Sequence, residues 1–193
     1  MKRIIFSALV LMSIIGLQAQ TIDSPKSNFQ RSQLLIAPFY FFDATFMVSY
    51  EHPIAKNGAL RITPSITLSE DDYNDSREGF GIDLGYKAFL LRNSRIVNVY
   101  VGPYAYYKSI KHTYREYSYY YDDYGYYNYS DYEKISYNNN VFGLGIDTGV
   151  KCIFGRFVLD LTLGGGIKYP TNSESNEYKG IAPRANLMFG VTL

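Results

Sequence analysis

The chain has 193 residues, enough for one domain with a sizeable core. Its formal net charge of +1 excludes a bulk-charge attraction to nucleic acid. Mean hydropathy is −0.17, which excludes a bundle of membrane-spanning helices but not a barrel, whose strands hide their apolar half in alternation. Cys152 is the single cysteine, so an intramolecular disulfide is excluded, and it reads as a small apolar residue on a strand face.

The first residues have the parts of a signal peptide. Lys2 and Arg3 form a positive start, residues 4–17 are apolar, and Leu17-Gln18-Ala19 ends in a small residue suited to cleavage. Residues 1–19 are therefore expected to direct export, with the mature chain starting at Gln20. The apolar run is shorter than the roughly 20 residues of a spanning helix. Residues 20–32 are polar and read as a short periplasmic lead.

From residue 33 to 193 the pattern has a period of two, the signature of strands with one apolar and one polar face. Eight segments are expected: 33–42, 45–54, 59–69, 80–91, 96–110, 140–154, 156–169 and 181–193. Their connections alternate in length. Asn57-Gly58, residues 92–95 and Gly155-Arg156 are tight reversals. Residues 70–79, the stretch after Ile110 and residues 170–180 are long, and only the link near Asp43 is a short one on that side. Short turns on one side and long loops on the other fit periplasmic turns and extracellular loops.

The polar faces are rich in glycine and charge. Gly81, Asp83, Gly85 and Lys87 alternate with Phe80, Ile82, Leu84 and Tyr86; Gly143, Gly145, Asp147, Gly149 and Lys151 alternate with Phe142, Leu144, Ile146, Val150 and Cys152. Asp160, Thr162, Gly164, Gly166 and Lys168 continue the pattern against Leu159, Leu161, Leu163 and Ile167. Glycine weakens an open strand, but in a narrow lumen it makes room for long charged neighbours. Glu51, Asp83, Asp147 and Asp160 can pair with Arg61, Lys87, Lys151, Lys168 and Arg184, as charges in low dielectric require. Aromatic residues near segment ends, Tyr40 and Phe46 among them, fit interfacial girdles. The rival is a soluble lipocalin-like barrel with its charged face in water, which needs no glycine bias.

The terminal segment places Ile181, Pro183, Ala185, Leu187, Phe189, Val191 and Leu193 on one face and Arg184, Asn186, Met188 and Thr192 on the other. Its apolar face is expected to close the ring against Leu35, Ala37 and Phe39. With the signal peptide and Gly-rich strands such as Phe142-Gly143-Leu144-Gly145-Ile146-Asp147, this segment resembles the small eight-stranded outer-membrane barrels of the OmpA/OmpX type. The resemblance covers residues 33–193. It implies an all-β, eight-stranded antiparallel up-and-down barrel in the outer membrane of a Gram-negative bacterium. It also implies contact with outer-membrane lipid and lipopolysaccharide, and recognition of the terminal strand by the barrel-assembly machinery. The departure is the end at Leu193 where many members carry Phe or Trp; Phe189 can supply the aromatic. No appended peptidoglycan-binding domain is expected.

Fourteen of the 21 tyrosines lie between Tyr104 and Tyr137. This stretch keeps β-favouring residues to its tip and reads as a projecting hairpin turning near Asp122. A turn between Asp123 and Tyr124 sets Val101 opposite Ile146 and Pro103 opposite Leu144. Tyrosine gives binding loops a rigid amphipathic ring at low entropic cost. Tyr114, Tyr117, Tyr119, Tyr121, Tyr124, Tyr126, Tyr129 and Tyr132 are therefore the expected binding residues for an extracellular protein or glycan. The same rings could instead support the hairpin by cross-strand pairing.

Other chemistry is weak. His52 and His112 carry no recognisable nucleophile–base–acid motif, so a lipid A-modifying enzyme is a lesser alternative, as is a narrow small-solute channel. The acidic run from Glu70 to Asp75 lacks the glycine of a calcium loop, with Arg77 in its place. No catalytic residue, metal, cofactor or nucleic-acid partner is expected.

Overall fold

The alternation becomes eight strands wherever it is uninterrupted. A computed structural model describes residues 31–193 apart from 56, 71–74, 92–95, 122–126 and 172–178, with backbone only at 43, 91, 116–121 and 127–133. The signal-peptide residues and most of the polar lead lie outside the described residues. The strands are β1 (Gln33–Ile36), β2 (Thr45–Ala55), β3 (Gly58–Glu70), β4 (Ser76–Leu91), β5 (Val97–Tyr121), β6 (Tyr127–Phe154), β7 (Phe157–Pro170) and β8 (Gly180–Thr192). Each pairs antiparallel with its sequence neighbour, and β8 returns to β1, closing the barrel. No helix among the described residues is long and apolar enough to cross a membrane.

The first segment departs from expectation. The strand expected over 33–42 stops at Ile36, and Pro38–Asp43 forms a 3-10 turn that ends at Ala44 with φ +49°. Pro38 explains the break: it donates no backbone N–H, and its fixed φ suits the start of a helical turn. The face assignment is also corrected. Leu35 and Ala37 are fully buried inside the barrel, while Leu34 and Ile36 face out.

The mid-strand prolines sit where ladders break. The β2–β3 register passes from Met47↔Ser65 to Tyr50↔Ile62 around Pro64, and β4–β5 passes from Gly85↔Tyr104 to Ala88↔Val101 around Pro103. A missing donor removes a rung on one side while the other neighbour stays paired. Pro53 adjoins a register shift in β2.

The expected β5–β6 register is corrected by two residues: Val101 lies opposite Thr148 and Pro103 opposite Ile146. A two-residue slip keeps every side chain on its face, so the alternation could not detect it.

Candidate functional site

The polarity of the wall is inverted relative to a soluble barrel. Ile62, Ile66, Leu84, Leu144, Ile146 and Leu163 are exposed on the outer surface, whereas Arg61, Asp83, Lys87, Asp147, Lys151 and Asp160 are buried within. Such a surface is satisfied by lipid. Tyr40 is an exception to the expected girdle, because it packs inward against Leu35, Ala37, Met47, Ile153, Val158 and Met188.

Among the described residues the lumen holds two charge clusters, each with two cations and two carboxylates. In the lower one, the Lys87 ammonium lies 2.7 Å from Glu51 and also binds Asp160. Lys151 contacts Glu51, lies 3.4 Å from Asp160 and donates to Gln33 Oε1 at 2.8 Å. Tyr100 donates its hydroxyl to Asp160 Oδ1 at 2.6 Å, and Lys87 sits 4.4 Å from the centre of the Tyr100 ring. In the upper cluster, Arg61 reaches Asp147 at 2.9 Å and Asp83 at 3.4 Å. Arg184 reaches Asp83 at 2.5 Å and Asp147 at 3.7 Å. Asp160, another of the inward carboxylates, is held by Lys87 and Lys151 and not by Arg184. Each of these buried charges faces an opposite charge, and in the lower cluster Gln33 and Tyr100 add hydrogen bonds.

The glycines have a second role that the sequence reading missed. Tyr100, Tyr104 and Tyr106 lie directly opposite Gly149, Gly145 and Gly143. A Cβ on Gly143 would lie 2.2 Å from the Tyr106 ring, and one on Gly149 would lie 2.4 Å from the Tyr100 hydroxyl. The inward tyrosine rings lie over glycine positions of the next strand, an arrangement visible as two interleaved period-two patterns once the register is known.

Above the charges, the lumen opens into two adjoining cavities of about 270 and 300 Å³ that share Tyr106, Lys108, Ala182 and Pro183. Arg184 and Asp83 form the floor of the first, and Lys168 lines the second. Tyr104 and Tyr106 stack at 6.2 Å, with the Arg184 guanidinium 4.5 Å from the Tyr104 ring centre.

The expected hairpin forms. The β4–β5 ladder ends at Ser76↔Thr113 and the β6–β7 ladder at Val141↔Pro170, yet β5 and β6 remain paired to Tyr121↔Tyr127. Past Tyr117↔Tyr132 the register slips by one, setting Tyr119 opposite Tyr129. Without that bulge Tyr119 would face Ser130 and Tyr121 would face Asn128, so the extra β6 residue keeps tyrosine opposite tyrosine. Of the expected binding residues, Tyr114 is exposed and packs edge-on to Tyr137 at 6.0 Å. Tyr117, Tyr119, Tyr121, Tyr129 and Tyr132 are described by backbone alone, and Tyr124 and Tyr126 lie outside the described residues.

The histidines are separated. His112 stacks on Tyr137 at 5.1 Å. His52, at the end of β2 near the short turns, has its Nδ1 2.8 Å from the Ser32 hydroxyl, which also accepts from Tyr50 at 3.1 Å. A tyrosine rather than a carboxylate is the third member of that contact. No group of metal ligands occurs among the described residues; residues 71–74 of the acidic run lie outside them.

An up-and-down ring of eight strands, apolar outside and charged inside, defines a transmembrane β-barrel. No protein-family model matches the chain, and no curated protein matches it. Among solved structures it is similar to the N-terminal β-barrel domain of Pseudomonas aeruginosa OprF, with 14% identity and a TM-score of 0.39, over 85% of this chain and 98% of that one. It is also similar to Ail, the attachment invasion locus protein of Yersinia pestis, with 12% identity and a TM-score of 0.42, over 84% of this chain and 97% of that one.

Proposed function

We propose that the protein is an outer-membrane barrel of a Gram-negative bacterium whose sealed lumen anchors a surface-binding hairpin. In this reading its outer surface meets membrane lipid and lipopolysaccharide, and the barrel-assembly machinery inserts it. The observation that carries the reading is the β5–β6 ribbon, which continues beyond the ladders of β4 and β7 with tyrosine opposite tyrosine. Paired rings stiffen a two-stranded ribbon, and a stiff tyrosine surface loses little entropy on contact with a protein or glycan. The filled lumen supports anchoring over transport.

The test compares cells displaying the intact chain with cells displaying one in which Tyr117, Tyr119, Tyr121, Tyr129 and Tyr132 are replaced by serine. Adhesion to immobilised extracellular-matrix protein and to glycan arrays is read out. Adhesion is expected to fall by about tenfold or more, the scale of losing one or more aromatic anchors. Equal adhesion, with equal amounts of heat-modifiable barrel in the outer membrane, would overturn the reading.

A further inference from the structure

β8 has one edge that β1 covers only in part. β1 contributes four residues, and Ile36 opposite Phe189 is its last pair to β8. β8 continues outward to Gly180 and pairs there with β7 alone. Thr192 donates its N–H to the Arg156 carbonyl before β7, and Leu193 donates to the Ser32 carbonyl before β1. Backbone direction alternates along an antiparallel strand, so Ile181, Pro183, Ala185 and Leu187 share the seam side with Leu193. The backbone hydrogen bonds of residues 37–44 go to Met47, to Leu68 or within the turn; among the described residues none goes to β8. The chain's own first segment is a poor match for this edge. Continuing the register from Ile36↔Phe189 would face Pro38 to Leu187, Tyr40 to Ala185 and Phe42 to Pro183. Two of these three pairs contain a proline and would lack a donor.

A recess lies along the same edge. The cavity of about 270 Å³ is lined by Ala182 and Arg184 from the inner face of β8 and also by Pro183 and Ala185 from its outer face, so it reaches the edge of the strand. Thr63, Ser65 and Tyr104 line it too, and the adjoining cavity extends it past Ile181 to Ile110 and Val141. The lining charges are engaged within the protein: Arg184 with Asp83 and Asp147, and Lys108 and Lys168 with partners of their own. The recess therefore suits an uncharged chain with donors and acceptors at strand spacing. On the outside, Ile181, Pro183 and Ala185 of β8 and Phe39 and Phe42 of the turn form an exposed apolar lip. An open strand edge is a template for another strand, and at bilayer level its unpaired groups are costly.

We propose that the outer half of β8 is a strand-addition site for an extended, uncharged segment of a partner protein on the hairpin side of the membrane. The segment enters at the barrel mouth, because paired charges fill the lumen below, and runs antiparallel to β8 like the other wall strands. Main-chain hydrogen bonds to Ile181, Ala185 and Leu187 hold it, and its alternate side chains enter the two cavities or meet the apolar lip. This site is separate from the tyrosine hairpin and would remain if the hairpin bound nothing.

The experiment uses the full barrel in lipid nanodiscs and the uncharged hexapeptide acetyl-Thr-Val-Ser-Leu-Thr-Val-amide as probe. Amide exchange is followed residue by residue by NMR. With saturating peptide, the Ile181 and Ala185 amides are expected to exchange about tenfold more slowly, the scale of closing a frayed edge. The same peptide N-methylated at every residue has no main-chain donors and should give no protection. Ala185→Pro removes a donor on the seam side and leaves the β7 ladder its own. It is expected to weaken peptide binding about threefold to tenfold, the scale of one hydrogen bond, while heat-modifiable migration confirms the barrel. The proposal is overturned if the hexapeptide leaves both amides unprotected, if the N-methylated peptide protects them as well, or if folded Ala185→Pro binds as tightly as the parent. It is also overturned if both amides are as protected as those of β7 before any peptide is added, since the Pro38–Asp43 turn would then close the edge.

Discussion

Lys151 has no exposed surface and is held between Glu51, Asp160 and Gln33. Removing one member of such a cluster strands the opposite charge in a medium that cannot solvate it. Lys151→Met is expected to cost about 3–5 kcal/mol, measured by urea unfolding in phospholipid vesicles. Adding Glu51→Gln should recover part of that loss, since it neutralises the stranded carboxylate; a double variant as unstable as the single one would separate the two residues energetically. Gly149 makes a different demand. Its missing Cβ leaves room for the Tyr100 hydroxyl and for the Leu161 carbonyl oxygen, 2.3 Å from where that atom would stand. Gly149→Ala is therefore expected to cost about 1–3 kcal/mol through overpacking, read by the same unfolding experiment. The identities of the inward charges were legible from alternation alone. Their pairing was not, because Arg184 chooses Asp83 and Asp147 over Asp160 by height in the lumen, which depends on strand stagger.

At the scale of elements, β1 and β8 are the unequal pair. β8 runs from Gly180 to Thr192 and β1 only from Gln33 to Ile36, so half of one barrel seam has a turn where a strand would be. Backbone amides without a strand partner open readily. In hydrogen exchange on the micelle-bound barrel, amides of residues 181–187 that point away from β7 are expected to exchange faster than those of β7 itself. Equal protection would mean that the Pro38–Asp43 turn seals the edge. The existence of the first segment was legible, its length less so: Phe39 and Phe42 prolong an apolar run, and only Pro38 announces the break. The β5–β6 hairpin was legible as a hairpin because β-favouring residues continue to its tip, while its register lay two residues away on the same faces.

Over the whole molecule, an apolar cluster and the two sets of paired charges together fill the lumen among the described residues. Arg61, Tyr100 and Lys151 are among the largest fully buried side chains. An eight-stranded ring has an interior just wide enough for such filling. Purified barrel in planar bilayers is therefore expected to show no stepwise conductance; reproducible single-channel steps would mean that the two clusters part. The open volume among the described residues lies above the charges, in the two adjoining cavities that share Tyr106, Lys108, Ala182 and Pro183.

The sequence by itself determined the ring of alternating strands, the inward charges and the projecting tyrosine stretch, because a period of two writes the face of each residue directly into the chain. Only the tertiary structure decided which charges meet, which glycines lie under tyrosine rings and where the wall is left unpaired. Those depend on stagger between strands, and a shift of two residues along a neighbour changes every contact while leaving every face as it was.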